Sequence, residues 1–392
     1  MTTADGEKTK MKKIVILGGS YGGVSTAHYV LKHVIPKLPD ATSSYQVVLV
    51  NTASQAMCRP AAPRALISDS MFDRQEERLF VSIRDSFAAY AAYPGKEEEE
   101  GGEEGEKRFV FEHGTATALD IENRVVTPAG ELGEHLNGRP GIFPSFFSSP
   151  SPKVRITLLS GGPRILPYLR ASMSAAAESY LSRVGVRVVH NTRVASVKPA
   201  TAGFTVADVA SSAVLTLDNG EVWEDVDLYI PAVGATPNTA FVPPSLLDAD
   251  GRVRTDPATL RVIIGGAGAA AGVYAIGDAS SAARPSIHNI TSMIPVLSAN
   301  IRRDLLLAAG SGGDDNNNND KSGGVVLSPG EDRLFKEDTR MTQLVPIGRS
   351  KGVGAIMGFK VPSFFVWLIK GRDYWLWTTG NLWSGKQWAK ES

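Results

Sequence analysis

The chain has 392 residues, which at about 150 residues per domain predicts two or three domains. Its 41 basic and 41 acidic residues cancel, so composition points to no nucleic-acid partner. A hydrophobic content of 43% supports a sizeable core, and the single cysteine, Cys58, excludes a disulfide scaffold, a CxxC redox pair and a cysteine zinc site.

In chain order, residues 1–13 are polar and lack the apolar stretch of a signal peptide. No uncharged apolar run reaches the roughly 18 residues that a membrane-spanning helix needs, so a cytoplasmic, multidomain protein is expected. Lys13 to Leu17 reads as a short apolar strand, Gly22 to His33 as a helix and Gln46 to Val50 as a second strand. A second unit repeats the pattern, with strands at Arg155 to Leu159 and Val186 to His190 around a helix at Leu169 to Arg183. Strands alternating with helices imply parallel sheets. Asp218-Asn219-Gly220 reads as a hairpin turn between Leu215–Leu217 and Glu221–Trp223, because glycine accepts positive φ. Two stretches read as solvated insertions: Glu97 to Glu106, with seven glutamates, and the polar run Gly310 to Gly324. Neither can bury enough apolar surface to offset the entropy of ordering it.

The first strand runs into Gly18-Gly19-Ser20-Tyr21-Gly22-Gly23. In a G-x-G-x-x-G turn the glycines allow a tight bend, close approach of a pyrophosphate and close helix–strand packing, and the helix N-terminus faces the phosphates. Gly18 and Gly23 fill the outer positions and Ser20 the middle one. Asn51 ends the second strand where an acid usually binds the ribose; it hydrogen-bonds but lacks the charge. Far downstream, the strand Gly272 to Ile276 ends in Gly277-Asp278. There glycine admits a close ligand and the aspartate can accept a ribityl hydroxyl.

Taken in order, residues 14–33, 59–68, 117–127, 156–167, 227–243, 273–280 and 352–375 make the chain resemble the two-dinucleotide-fold flavoproteins. Within them it is most similar to fungal proteins of the apoptosis-inducing-factor-like, ferroptosis-suppressor type, which are NAD(P)H:quinone oxidoreductases. The resemblance implies an α/β fold with two Rossmann-like domains. A discontinuous FAD domain would span 11–127 and 252–340, with a nicotinamide domain inserted at 153–251 and a small aromatic-rich α+β region at 341–392. It implies hydride transfer from NADH or NADPH to FAD and electron transfer to a quinone-like acceptor. By the same resemblance Gly18, Gly19, Ser20, Tyr21, Gly22 and Gly23 meet the FAD pyrophosphate and Gly277 with Asp278 the ribityl chain. Arg59 and Pro60 approach the flavin, and His288 and Asn289 begin a helix whose backbone N–H groups face its pyrimidine edge. Cys58, the single cysteine and so without a second thiol for a dithiol relay, reads as an inert buried or half-buried thiol.

One interval departs from the family. Between its strands around 117–127 and 156–160 the family carries a strand ending beside the flavin and the nicotinamide domain's own strand and glycine turn. Thr127 to Val154 is 28 residues with five prolines and four glycines and no glycine fingerprint. A βαβ unit alone takes about 30 residues, so the nicotinamide cradle is expected to be missing and the inserted domain truncated. Ser160 and Arg164 would lean towards NADP. The competing expectation is a catalytically silent flavin-binding or interaction protein. Five of the six tryptophans lie in the last 26 residues, among basic side chains. That segment suits a peripheral membrane contact or a quinone-access surface; otherwise it packs over the flavin domain or forms a homodimer face.

Overall fold

Residues 11–39, 45–65, 76–90, 108–114, 154–203, 212–232, 237–265, 268–310 and 329–392 are described by the computed structural model. The acidic segment Glu97 to Glu106, the polar run beyond Gly310 and most of Thr127 to Val154 lie outside them.

The first unit is built by strand β1 (Lys12–Leu17), helix α1 (Tyr21–Tyr29) and strand β2 (Tyr45–Asn51). Helix α1 continues as a π-helical turn over Val30–Val34. A short antiparallel pair, β3 (Gln55–Met57) with β4 (Phe80–Ser82), precedes β5 (Phe109–His113). The parallel sheet has the order β1-β2-β5, with Leu17 opposite Val50 and Asn51 opposite His113. Val24, Ala27, Leu31 and Val34 of the helix meet Val47, Leu49 and Phe109 of the sheet in one core. Each fully buried aliphatic side chain there contributes about 1.5–3 kcal/mol. Among the described residues β1 pairs with β2 alone, and its Val15 and Leu17 are each 57% exposed.

The second unit pairs β6 (Ile156–Leu159) in parallel with β7 (Val186–Val189) across α2 (Ala171–Arg183). An antiparallel sheet follows, β8 (Val194–Lys198), β9 (Ala213–Leu217) and β10 (Val222–Val226), in the order β10-β9-β8. Its β9–β10 turn is the expected Asp218-Asn219-Gly220, with Gly220 at φ +87°. The chain then returns through β11 (Arg261–Ile263) and β12 (Ala269–Tyr274), an antiparallel pair, to the long helix α3 (Ile287–Gly310), which packs along α1.

Sequence reasoning placed the C-terminal region as one body, whereas the structure divides it. The meander β13 (Gln343–Ile347), β14 (Lys351–Ile356) and β15 (Phe359–Lys360) shares a core with α2 through Val345, Ile347, Val353 and Ala355. Helix α4 (Leu376–Trp383) instead sends Leu382 and Trp383 into the first unit's core, and Trp388 packs on Tyr29 and Ile294. Trp383 and Trp388 are therefore core residues, while Trp377 is 58% exposed. Among the described residues no helix is long and apolar enough to cross a membrane.

Candidate functional site

Three chain segments converge at the carboxyl end of β1. The strand stops at Gly18, whose φ of +103° is open to glycine but strained for other residues. Gly18 N–H donates to the Val50 carbonyl at 2.8 Å, and Gly19 N–H to Asn51 Oδ1 at 2.8 Å. A methyl group on Gly23 would lie 1.7 Å from the Gly18 carbonyl oxygen, so only glycine lets the helix start so close to the strand. A methyl group on Gly18 would meet nothing within 4 Å. The turn is therefore tight on its inner side and open on its outer side. Ser20 is the N-cap of α1, and its hydroxyl makes no capping bond. The first turn of α1 carries no acidic residue, so no carboxylate there offsets the positive end of the helix dipole.

The Gly-Asp turn arrives from the other end of the sequence. Gly277 has φ +72°, and Asp278 follows it, half-buried, in a 3-10 turn over Gly277–Ala279. A methyl group on Gly22 would be 3.6 Å from Ile276 Cδ1 and 3.7 Å from Ile290 Cγ2. The glycine turn thus packs against the strand end that leads into the Gly-Asp turn. Behind it a buried polar cluster fixes β12 to α3. Asp304 accepts from Gly272 N–H at 2.7 Å, Tyr274 Oη at 2.6 Å and Arg261 at 2.7 Å, and Arg261 also pairs with Asp332 at 2.7 Å. Burial alone would push Asp304 up, but hydrogen bonds from Arg261, Tyr274 and Gly272 hold its carboxyl below the usual range.

A cavity of about 110 Å³ opens beside α1. It is lined by Tyr21, Pro60, Ile287, Thr291, Trp375 and Thr378, so it joins α1, the Arg59–Ala61 turn, the start of α3 and the C-terminal region. Trp375 and its neighbour Tyr374 both sit in the left-handed region, at φ +66° and +54°. Sequence reasoning missed Tyr374, Trp375 and Thr378 as lining residues; the only signal was the aromatic density of the last 26 residues.

Individual residues hold different positions from those their motifs suggest. Asn51 braces the glycine turn, accepting from Gly19 and donating from Nδ2 to the Ala53 carbonyl at 2.8 Å. The Tyr21 side chain is buried: its ring lies 4.9 Å from Trp383 and its hydroxyl donates to Cys58 Sγ at 3.4 Å. Cys58 is fully buried, as expected of an inert thiol. Arg59 is half-buried in its turn. His288 is exposed. Asn289 is committed to the protein: its backbone N–H donates to Ser286 Oγ at 3.0 Å, and its Nδ2 to the Arg284 carbonyl and Glu337. Only the N–H groups before it can face a ligand. In the second unit Ser160 follows β6, while Arg164 is half-buried and donates to the Pro167 carbonyl. Among the described residues there is no second glycine-rich strand-to-helix turn.

Parallel strands joined by a crossover helix, a glycine turn at the first strand end and a remote Gly-Asp turn beside it define an α/β oxidoreductase fold with Rossmann-like domains. A sequence profile described as pyridine nucleotide-disulphide oxidoreductase matches residues 145–294. "Oxidoreductase phnG" of Penicillium herquei is 45% identical over 450 positions, covering 98% of this chain and 99% of that protein. The chain belongs to the pyridine nucleotide-disulphide oxidoreductase family. An aligned length of 450 against a chain of 392 leaves at least 58 positions of the relative without a counterpart here. Among solved structures, NDH2 from Plasmodium falciparum, in complex with NADH, is similar at a TM-score of 0.52 and 11% identity, covering 98% of this chain and 99% of that one. The chain spans 57% of the length of the reduced Bacillus anthracis CoADR-RHD structure, at a TM-score of 0.46 and 15% identity over 76% of this chain.

Proposed function

We propose that the protein is an FAD-dependent oxidoreductase that draws reducing equivalents from NADH or NADPH and delivers them to a quinone-like acceptor. This is the activity of the apoptosis-inducing-factor-like enzymes it resembles. The observation that carries the reading is the close approach of the glycine turn to the strand that ends in Gly277-Asp278, Gly22 against Ile276. It supports a dinucleotide held with its diphosphate at the glycine turn and its ribityl chain at Asp278. The residues present fit the group: an open outer side at Gly18, an uncapped Ser20 hydroxyl and no acid in the first turn of α1 all favour an anion. The bound flavin supplies the redox chemistry.

The chain's own part is binding and orientation. Backbone N–H groups of Ser20 to Gly23, at the start of α1, would donate to the diphosphate, those of Gly18 and Gly19 staying on Val50 and Asn51, and Asp278 accepts a ribityl hydroxyl. The N–H groups of Ile287 and His288, at the start of α3, stabilise negative charge at the pyrimidine edge. Asn289 holds that helix start in position through Arg284 and Glu337. Tyr21, Pro60 and Trp375 exclude water from the adjoining cavity.

A catalytically silent flavin-binding protein is the second reading, favoured by a specific pair of observations. Val15 and Leu17 stand exposed on β1, which pairs with β2 alone among the described residues, and at least 58 positions of the 45% identical relative have no counterpart. Anaerobic addition of NADH or NADPH to the flavin-loaded protein separates the two. Bleaching of the visible flavin bands supports the enzyme, and a protein that stays oxidised supports the silent reading.

A further inference from the structure

We infer that the tip of the β14–β15 hairpin and the helical turn after it form a docking face for an anionic lipid bilayer. The tip carries Met357, 53% exposed, and Phe359, 79% exposed. The helical stretch Ser363–Val366, continued as a π turn over Trp367–Gly371, turns Val366 and Gly371 inward. It leaves Phe364, Phe365 and Leu368 at 59%, 49% and 38% exposure. Phe364 lies 5.7 Å from the rings of both Phe365 and Trp367, so the exposed aromatics form a cluster. Singly exposed apolar side chains are ordinary, whereas a contiguous exposed patch marks a surface that meets something.

The exposure belongs to a braced structure. Gly358 N–H donates to the Met341 carbonyl at 2.7 Å, Met357 N–H to Thr342 Oγ1 at 2.9 Å, and Arg170 to the Gly358 carbonyl at 2.8 Å. The helical turn is tied to β14 by Gly352 N–H donating to Ser363 Oγ at 3.0 Å.

Charge selects the partner. In a chain with no net charge, residues 341–373 carry five basic side chains, Arg349, Lys351, Lys360, Lys370 and Arg372, against one acid, Asp373, which pairs with Arg372 at 3.4 Å. Lys360 lies beside Phe359, and both Lys360 and Lys351 are exposed on the same segment. Aromatics set among cations match the headgroup region of an anionic membrane. A second copy of the chain fits poorly, because a two-fold contact through this face would bring these cations against their own images. The face stands on exposure and charge and is independent of the flavin reading.

Vesicle co-sedimentation tests it, with the full chain and phosphatidylcholine vesicles with and without phosphatidylserine. Binding is expected only to the anionic vesicles and falls as salt rises. Lys351→Gln and Lys360→Gln should each weaken it about five-fold. The triple variant F359S/F364S/F365S should abolish it with the circular dichroism spectrum unchanged. Should the triple variant misfold, tryptophan quenching of the unaltered chain by brominated anionic lipids decides, and quenching is expected. No binding to anionic vesicles, equal binding by the lysine variants, or a concentration-dependent dimer that the triple variant dissolves would overturn the inference.

Discussion

Gly22 and Ile276, 254 residues apart in sequence, face each other closely enough that a methyl group on the glycine would touch the isoleucine at 3.6 Å. That approach joins the first strand end to the Gly-Asp turn. It makes the glycines of one motif unequal. Gly22→Ala adds an ordinary van der Waals contact and should leave the melting temperature within a few degrees of the original. Gly23→Ala places a methyl group 1.7 Å from the Gly18 carbonyl oxygen. It should cost about 3 kcal/mol or more and release α1 from β1. Thermal melts of the two variants check the contrast.

The C-terminal tail is fastened to α1 by a buried histidine, which gives stability a pH dependence. His28 Nε2 bonds the Trp383 carbonyl at 2.8 Å, and its ring stacks on Phe87 at 4.0 Å. Burial holds its pKa down to about 4, against a rise due to the Trp383 carbonyl. The unfolded chain, at the ordinary value near 6.5, binds the extra proton first. The contribution is therefore complete above pH of about 6.5 and is lost as pH falls towards about 4, on the order of 3 kcal/mol in all. His28→Phe should flatten that part of the stability–pH curve, read from urea midpoints at several pH values.

Trp388 should anchor the last residues. It is 5% exposed against Tyr29 and Ile294, and His33 bonds its carbonyl at 2.8 Å. Trp388→Ala is expected to cost about 3–5 kcal/mol and to raise amide exchange in α1 as well as in the tail.

Asp304 should be worth more than a surface pair. Its side chain and that of Arg261 are 7% and 6% exposed, and Asp304→Asn would leave Arg261 buried with a weakened partner. A loss of about 3 kcal/mol is expected. Because the carboxyl is held below its ordinary range, this contribution is present above pH of about 4 and fades as pH falls further. Acid titration of the variant, followed by circular dichroism, should show the low-pH limb diminished.

Much of this architecture was legible in local sequence. The apolar runs of β1, β2, β6 and β7 are legible to within about a residue, because a strand of a parallel sheet is a short apolar block between turn signals. The Asp218-Asn219-Gly220 turn followed from the backbone preference of glycine alone. What escaped depends on contacts distant in sequence. Asn51 braces Gly19, Asn289 braces Arg284 and Glu337, and Tyr21 turns inward to Cys58, none of which a local pattern records. The C-terminal tryptophans looked alike in composition, yet Trp383 and Trp388 are core and Trp377 is surface.

The most direct measurement is the flavin content of the purified or FAD-reconstituted protein, read from its visible absorbance, beside that of Asp278→Ala. One flavin per chain, lost in the variant while its circular dichroism spectrum is kept, is the result expected of a cleft closed from both ends of the sequence. A colourless protein that takes up no FAD, or a variant that retains a full equivalent, would contradict it.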